Sequence, residues 1–201
     1  LYNPGESTRH IDWKLYGRSD KLFVKRYEEE TNLRCQLVLD CSGSMWYPSE
    51  VAPEGPELNK LKFAIHSCAA LIELFRRQRD AVGLSVFADE LQTHIPAKSS
   101  GAHMRMIYNK LEDLLDEVGK QRSGTSTVKA LHQIAEASPR RSLVVVFSDL
   151  LDRGGDIDEL MAALQHLRHN KHEVVLFHVL EDDTEMKFNF QDRPTIFEDL
   201  E

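Results

Sequence analysis

Leu37-Val38-Leu39-Asp40-Cys41-Ser42-Gly43-Ser44-Met45 carries an apolar run into one tight, glycine-containing turn that bears an acid and two hydroxyls. The run from Cys35 to Leu39, with β-branched Val38, reads as a central strand buried on both faces. Asp40, Ser42 and Ser44 alternate at a spacing of two, so an extended loop brings their hard oxygens to one point, a donor set suited to a Mg²⁺-like cation. The same triplet also reads as a Ser/Gly turn ending a strand, with Asp40 capping the helix that follows. The triplet alone does not choose between the two.

Working outward, residues 46–56 hold Pro48, Pro53, Gly55 and Pro56 and predict a surface loop beside the turn. From residue 57 to 79, Leu61, Ala64, Ile65, Cys68, Leu71, Ile72 and Phe75 recur at three- and four-residue steps, which predicts a long amphipathic helix. It ends in Arg76-Arg77-Gln78-Arg79, cations that suit a helix C-terminus and read as solvated. Residues 81–87 and 91–95 predict a strand hairpin, and Met104 to Val118 a helix with Gly119 near its stop. The hydroxyl-rich turn Ser123-Gly124-Thr125-Ser126-Thr127 opens another helix over residues 128–137. Leu143-Val144-Val145-Val146-Phe147 predicts a strand ending at Ser148-Asp149, so a second acid stands at a strand's carboxyl end. A turn at 152–155, a helix carrying Ile157 to Leu167 and a strand over 173–179 follow.

Before the turn, Ile11, Trp13 and Leu15 alternate with polar residues, which predicts a short strand or extended arm, with Trp13 as its packing anchor. Residues 1–33 are expected to form an arm packed on the main domain, 34–201. In the acidic tail, Phe188, Phe190, Ile196 and Phe197 predict short edge strands. Trp46 and Tyr47 are expected as an exposed aromatic pair beside the turn, and His166, His169 and His172 as solvated or helix-end groups.

Strands alternating with amphipathic helices predict an α/β layer fold with a mostly parallel sheet. Ligands of such sheets bind beyond the carboxyl ends of the strands, where Asp40, Thr125 and Asp149 are all expected.

The 201 residues carry a net charge of −8. Residues 1–34 hold seven Lys/Arg against six Asp/Glu, so the remainder carries −9. That balance argues against a nucleic-acid partner and for a cation or a basic protein surface. No apolar run approaches the roughly 18 residues a membrane span needs. Cys35, Cys41 and Cys68 show no CxxC or Cys/His ligand spacing, which argues against a disulfide scaffold or a zinc site and points to the cytoplasm. The chain starts at Leu1 and is expected to be an excised part of a longer protein.

The three separated motifs resemble the von Willebrand factor A domain, over about residues 34–180. Its metal-ion-dependent adhesion site uses Asp-x-Ser-x-Ser, a Thr and an Asp from three loops, matched here by Asp40, Ser42, Ser44, Thr125 and Asp149. Pro4-Gly5-Glu6-Ser7-Thr8-Arg9-His10-Ile11-Asp12-Trp13-Lys14 and the run Lys21–Glu30 narrow the resemblance to bacterial proteins of the domain-of-unknown-function family number 58. The resemblance implies a three-layer, Rossmann-like α/β fold with an antiparallel edge strand and helices on both sheet faces. It implies Mg²⁺, or another divalent cation such as Mn²⁺ or Ca²⁺, held by those five residues, with a partner's acid completing the coordination. It also implies a protein partner, a MoxR-type AAA+ ATPase or its client, in chaperone-like assembly. Two departures stand out: Leu150 follows Asp149 where many adhesion-type domains have Gly, and Thr127 offers a second hydroxyl close to Thr125.

The competing class is a metal-assisted phosphoryl hydrolase, which also places Asp and Mg²⁺ at strand ends. Against it, Ser rather than a second acid stands two residues after Asp40, and the chain has no Walker-type glycine loop, GxGxxG or GxSxG. The expectation is a binding module, not an enzyme.

Overall fold

The computed structural model describes residues 11–23, 33–48, 58–116, 127–151 and 157–189. The chain divides into two compact units, Leu1–Thr31 and Asn32–Glu201. In the first, the expected strand is instead a helix, α1 (Trp13–Ser19). Asp12 decides this, because its Oδ1 accepts from the backbone N–H groups of Lys14 and Leu15, both at 3.1 Å. An N-cap of this kind satisfies donors that an extended arm would leave to water, and it outweighs a three-residue alternation. Nor is Trp13 a buried anchor: it is 63% exposed, with its ring edge-on to Tyr16.

The second unit is built on β1 (Arg34–Asp40), α2 (Lys60–Gln78), β2 (Ala81–Phe87), β3 (Leu91–Lys98), α3 (Gly101–Asp116), α4 (Thr127–Ala137), β4 (Leu143–Ser148), α5 (Ile157–His169) and β5 (Glu173–His178). The sheet order is β3-β2-β1-β4-β5. Among the described residues β1 runs parallel to β2 and β4, β4 runs parallel to β5, and only the β2–β3 hairpin is antiparallel. This is the mostly parallel α/β arrangement that the alternating pattern predicts, with the antiparallel edge that the resemblance implies, and it is consistent with a von Willebrand factor A-like fold.

Period-two alternation splits the core between the two sheet faces. Cys35, Leu37, Leu39, Val82, Leu84, Val86, Val145 and Phe147 pack against Leu61, Ile65, Cys68 and Ile72 of α2 and Met104, Ile107 and Leu111 of α3. On the other face, Val38, Val144 and Val146 meet Ala130, Leu131 and Ile134 of α4 and Ala163 and Leu167 of α5. β1 lies at the centre, which is why its run is uninterruptedly apolar apart from Gln36. That buried side chain donates to Ser85 Oγ at 2.9 Å, and Ser85 Oγ lies 2.9 Å from His94 Nδ1.

The tail departs from expectation. Instead of edge strands, residues 182–186 form one π-helical turn, Asp182–Met186, and Phe188 has φ 52° with its side chain exposed. Glu181 fixes the turn: its carboxylate accepts from the N–H groups of Asp183 and Thr184, so the local side-chain bonds outcompete a ladder. The edge strands expected at Phe190, Ile196 and Phe197 lie outside the described residues. Of the three histidines, His166 and His169 lie in the last turn of α5 as expected, and His172 follows it. His169 is exposed, but His172 is buried with Nδ1 accepting from Ser142 N–H at 3.2 Å, and His166 Nδ1 sits 2.9 Å from His132 Nδ1.

Candidate metal centre

Parallel pairing of β1 with β4 sets Leu39 against Phe147, so both strands end together. Asp40 and Ser148 therefore meet at the carboxyl edge: Ser148 Oγ donates to Asp40 Oδ2 at 2.6 Å, and both residues are fully buried. The other oxygen of Asp40 accepts from Ser42 N–H at 2.9 Å, turning the chain sharply into the 3₁₀ turn Gly43–Trp46. That turn places Ser42 Oγ and Ser44 Oγ 3.1 Å apart, both residues being buried. Burial pushes the Asp40 carboxyl up to about 6; the hydrogen bonds from Ser148 and Ser42 oppose the rise, and the neighbouring Asp149 charge adds to it.

Asp149 is as buried as Asp40 and is held from three sides. Its Oδ1 accepts from Leu151 N–H at 3.2 Å, its carbonyl accepts from His178 Nε2 at 3.0 Å, and its Oδ2 binds Lys60 Nζ at 2.7 Å. Leu150, between them, has φ 57° and donates its N–H to Ser148 Oγ at 2.9 Å. The residue that departs from the glycine pattern thus adopts the left-handed backbone that glycine takes without penalty.

Lys60 is the residue sequence reading missed. At 3% exposure it opens α2, donates its N–H to the Tyr47 carbonyl and sends Nζ to Asp149 Oδ2 and to Glu185 Oε1, each at 2.7 Å. One signal was available: a lysine in the first turn of a helix stands against the helix dipole, so a carboxylate is needed nearby to hold it. The Tyr47 ring lies under the ammonium at 5.8 Å, and Tyr47 Oη is 2.7 Å from Thr184 Oγ1. Trp46 and Tyr47 are therefore not an exposed pair; Trp46 packs against the core and Tyr47 ties the turn to residues 182–186. A groove of about 400 Å³ opens beside Lys60, lined by Pro48, Leu58, Phe63, His178 and Leu180 among others.

The structure thus brings four of the five expected ligands, Asp40, Ser42, Ser44 and Asp149, to one edge of the sheet. Thr125 lies outside the described residues. Thr127 is buried at the start of α4, and its Oγ1 has no hydrogen-bond partner among the described residues. The donor set is hard oxygen throughout, and the 3.1 Å between the two serine oxygens is close to the roughly 2.9 Å edge of an octahedron with Mg–O arms of about 2.0–2.1 Å. The residues present fit a small divalent cation, with Lys60 as a rival for Asp149. Among the described residues no group of three or more His, Cys, Asp or Glu could hold a metal ion, so a site here rests on the serine hydroxyls as much as on Asp40 and Asp149.

Residues 1–191 match the family described as protein of unknown function DUF58. The chain belongs to the DUF58 family. An uncharacterised protein of Mycobacterium tuberculosis and one of Mycobacterium bovis are each 23% identical to this DUF58 chain over 151 residues. The match covers 75% of the chain and 45% of each relative, so the chain spans less than half the length of these relatives. Among solved structures, an aerotolerance-related membrane protein from Bacteroides fragilis is 22% identical, with a TM-score of 0.51 over 73% of this chain and 67% of that one. The conserved hypothetical protein BatB from Bacteroides thetaiotaomicron is 21% identical, with a TM-score of 0.48 over 72% and 65%. At such identity the likeness to the Bacteroides fragilis protein speaks for the fold. No helix among the described residues is long and apolar enough to cross a membrane.

Proposed function

We propose that this DUF58 chain is a metal-dependent protein-recognition module rather than an enzyme. The observation that carries the reading is the meeting of Asp40, Ser42, Ser44 and Asp149 at the ends of two adjacent parallel strands, with Ser148 bonded to Asp40. Asp40 and Asp149, with the hydroxyls of Ser42, Ser44 and Thr125, would hold Mg²⁺ or a similar divalent ion. The bound ion would supply an electrophilic anchor for a carboxylate of the partner. The protein's part is to fix the oxygens beforehand: Asp40 is locked from both sides by Ser42 N–H and Ser148 Oγ–H, so little ordering is left for the moment of binding.

The partner we propose is a protein presenting an exposed Asp or Glu, a MoxR-type AAA+ ATPase or its client, in a chaperone-like assembly. A cytoplasmic setting belongs to the same proposal, and three buried cysteines without a disulfide support it. Calorimetric titration with Mg²⁺ tests the metal, with Asp40→Ala as the comparison, and recovery of partners from native cells in Mg²⁺ against chelator tests the recognition. Loss of Mg²⁺ binding in Asp40→Ala together with chelator-sensitive recovery is the expected result. Equal Mg²⁺ binding by the two proteins overturns the reading, as does Mg²⁺-dependent hydrolysis of phosphoesters that Asp149→Ala abolishes.

A further inference from the structure

The site contains a positive charge of its own. Lys60 Nζ rests on Asp149 Oδ2 and Glu185 Oε1 at 2.7 Å each, with Lys60 3% exposed and the Glu185 side chain 22% exposed. A lysine held this far from water needs carboxylate partners, and these two supply them. Glu185 is itself placed by the fold: its Oε2 accepts from Glu181 N–H at 2.7 Å, and the turn that carries it is tied to Tyr47 through Thr184. The ammonium therefore lies between an acid on the inner, metal side and an acid on the outer, more exposed side.

We propose that Lys60 is the resident counter-cation of the metal site: its ammonium and a divalent cation compete for Asp149, and Glu185 retains the ammonium when the divalent ion takes Asp149. The inference rests on the metal-dependent reading above and adds its regulation. Asp149 Oδ2 carries the ammonium while Oδ1 takes the Leu151 N–H, so a divalent ion drawn to this carboxylate meets a charge that Lys60 already neutralises. Lys60 carries its ammonium on a flexible four-carbon stem and needs only to let go of one carboxylate while keeping the other. Exchange of this kind has a consequence for the whole domain. Without the divalent ion, Asp149 is still neutralised, so the protein stays folded and the ion switches recognition without being required for folding.

The coupling has a sign that two substitutions read in opposite directions. Lys60→Met removes the competitor and is expected to tighten Mg²⁺ binding about tenfold, within the usual range for coupled sites. Glu185→Gln leaves the Lys60–Asp149 pair intact but removes the outer negative charge, and is expected to weaken Mg²⁺ binding several-fold. Lys187→Met is the control for charge alone, because Lys187 lies on the same acidic turn and pairs with Asp182 and Asp183; it is expected to change affinity less than twofold. Calorimetry at fixed ionic strength measures all three against the parent chain.

If Lys60→Met does not fold, Glu185→Gln, altered at a partly exposed side chain, still decides the matter. Unchanged affinity in Glu185→Gln, or equal gains in Lys60→Met and Lys187→Met, overturns the exchange while leaving the metal site in place. Failure of the parent chain to bind Mg²⁺ at all overturns the metal reading itself, and the exchange with it.

Discussion

Ser148 Oγ donates to Asp40 Oδ2 at 2.6 Å, a bond between residues 108 positions apart that joins the ends of β1 and β4. The same Ser148 oxygen accepts from Leu150 N–H, so one hydroxyl holds both the first acid and the backbone that carries the second. Ser148→Ala leaves a buried carboxylate oxygen and a backbone N–H without their partner. The expected cost is about 1–3 kcal/mol in urea denaturation, together with weaker Mg²⁺ binding. Mg²⁺ affinity equal to the parent's in Ser148→Ala would show that the hydroxyl plays no part in ordering the site.

Asp40 gives the metal-free protein a specific pH dependence. Burial raises its folded-state value from 3.8 to about 6, so the folded chain holds this proton more tightly than the unfolded one. The contribution is complete below about pH 4 and is lost as pH rises through about 6, for a total on the order of 3 kcal/mol. Asp40→Asn has no such proton to lose. In chelator, the variant should match the parent at pH 4 and exceed its stability at pH 7. In the parent, Mg²⁺ affinity should fall as pH drops below about 6, because protons then compete for the carboxylate. A parent-minus-variant difference that is flat between pH 4 and 7 would contradict this.

Leu150 has φ 57°, a conformation that costs a non-glycine residue about 1–2 kcal/mol. Leu150→Gly trades that strain against the greater freedom of a glycine in the unfolded chain, so stability should change by less than about 1 kcal/mol. Leu150→Val keeps an apolar side chain but adds β-branching at the strained backbone, and should lose about 1–2 kcal/mol. If valine proves as stable as glycine in thermal denaturation, the left-handed backbone is not present in solution.

Gly83 on β2 permits the irregular pairing with β3. A Cβ there would stand 2.5 Å from the Ile95 carbonyl oxygen and 2.7 Å from Ala97 N, both backbone atoms, and would also meet Gln36 Oε1. Backbone atoms cannot swing aside, so Gly83→Ala must move the edge strand. A loss of at least about 2 kcal/mol is expected, with hydrogen exchange speeding up first in residues 91–98. A neutral substitution would mean that β3 shifts at no cost.

The sequence by itself determined the layer architecture. Apolar runs at 37–39 and 143–147 are satisfied in the middle of a sheet covered on both faces, and the helix periodicities supply the covers. It also determined which strand ends carry acids, because Asp40 directly follows the first run and Asp149 stands beyond the second with one residue, Ser148, between. Where local bonds compete, the pattern misled: an alternation of three residues at 11–15 gave way to the Asp12 cap, and apolar residues in the tail gave way to the Glu181 cap. Only the tertiary structure decided the charge balance of the site. Lys60 lies 89 residues from Asp149 and 125 from Glu185, and nothing local in the chain joins them. They meet because α2 returns across the carboxyl edge of the sheet while the turn after β5 closes over the same edge. A buried ammonium then has to find both carboxylates, since water is no longer there to solvate it.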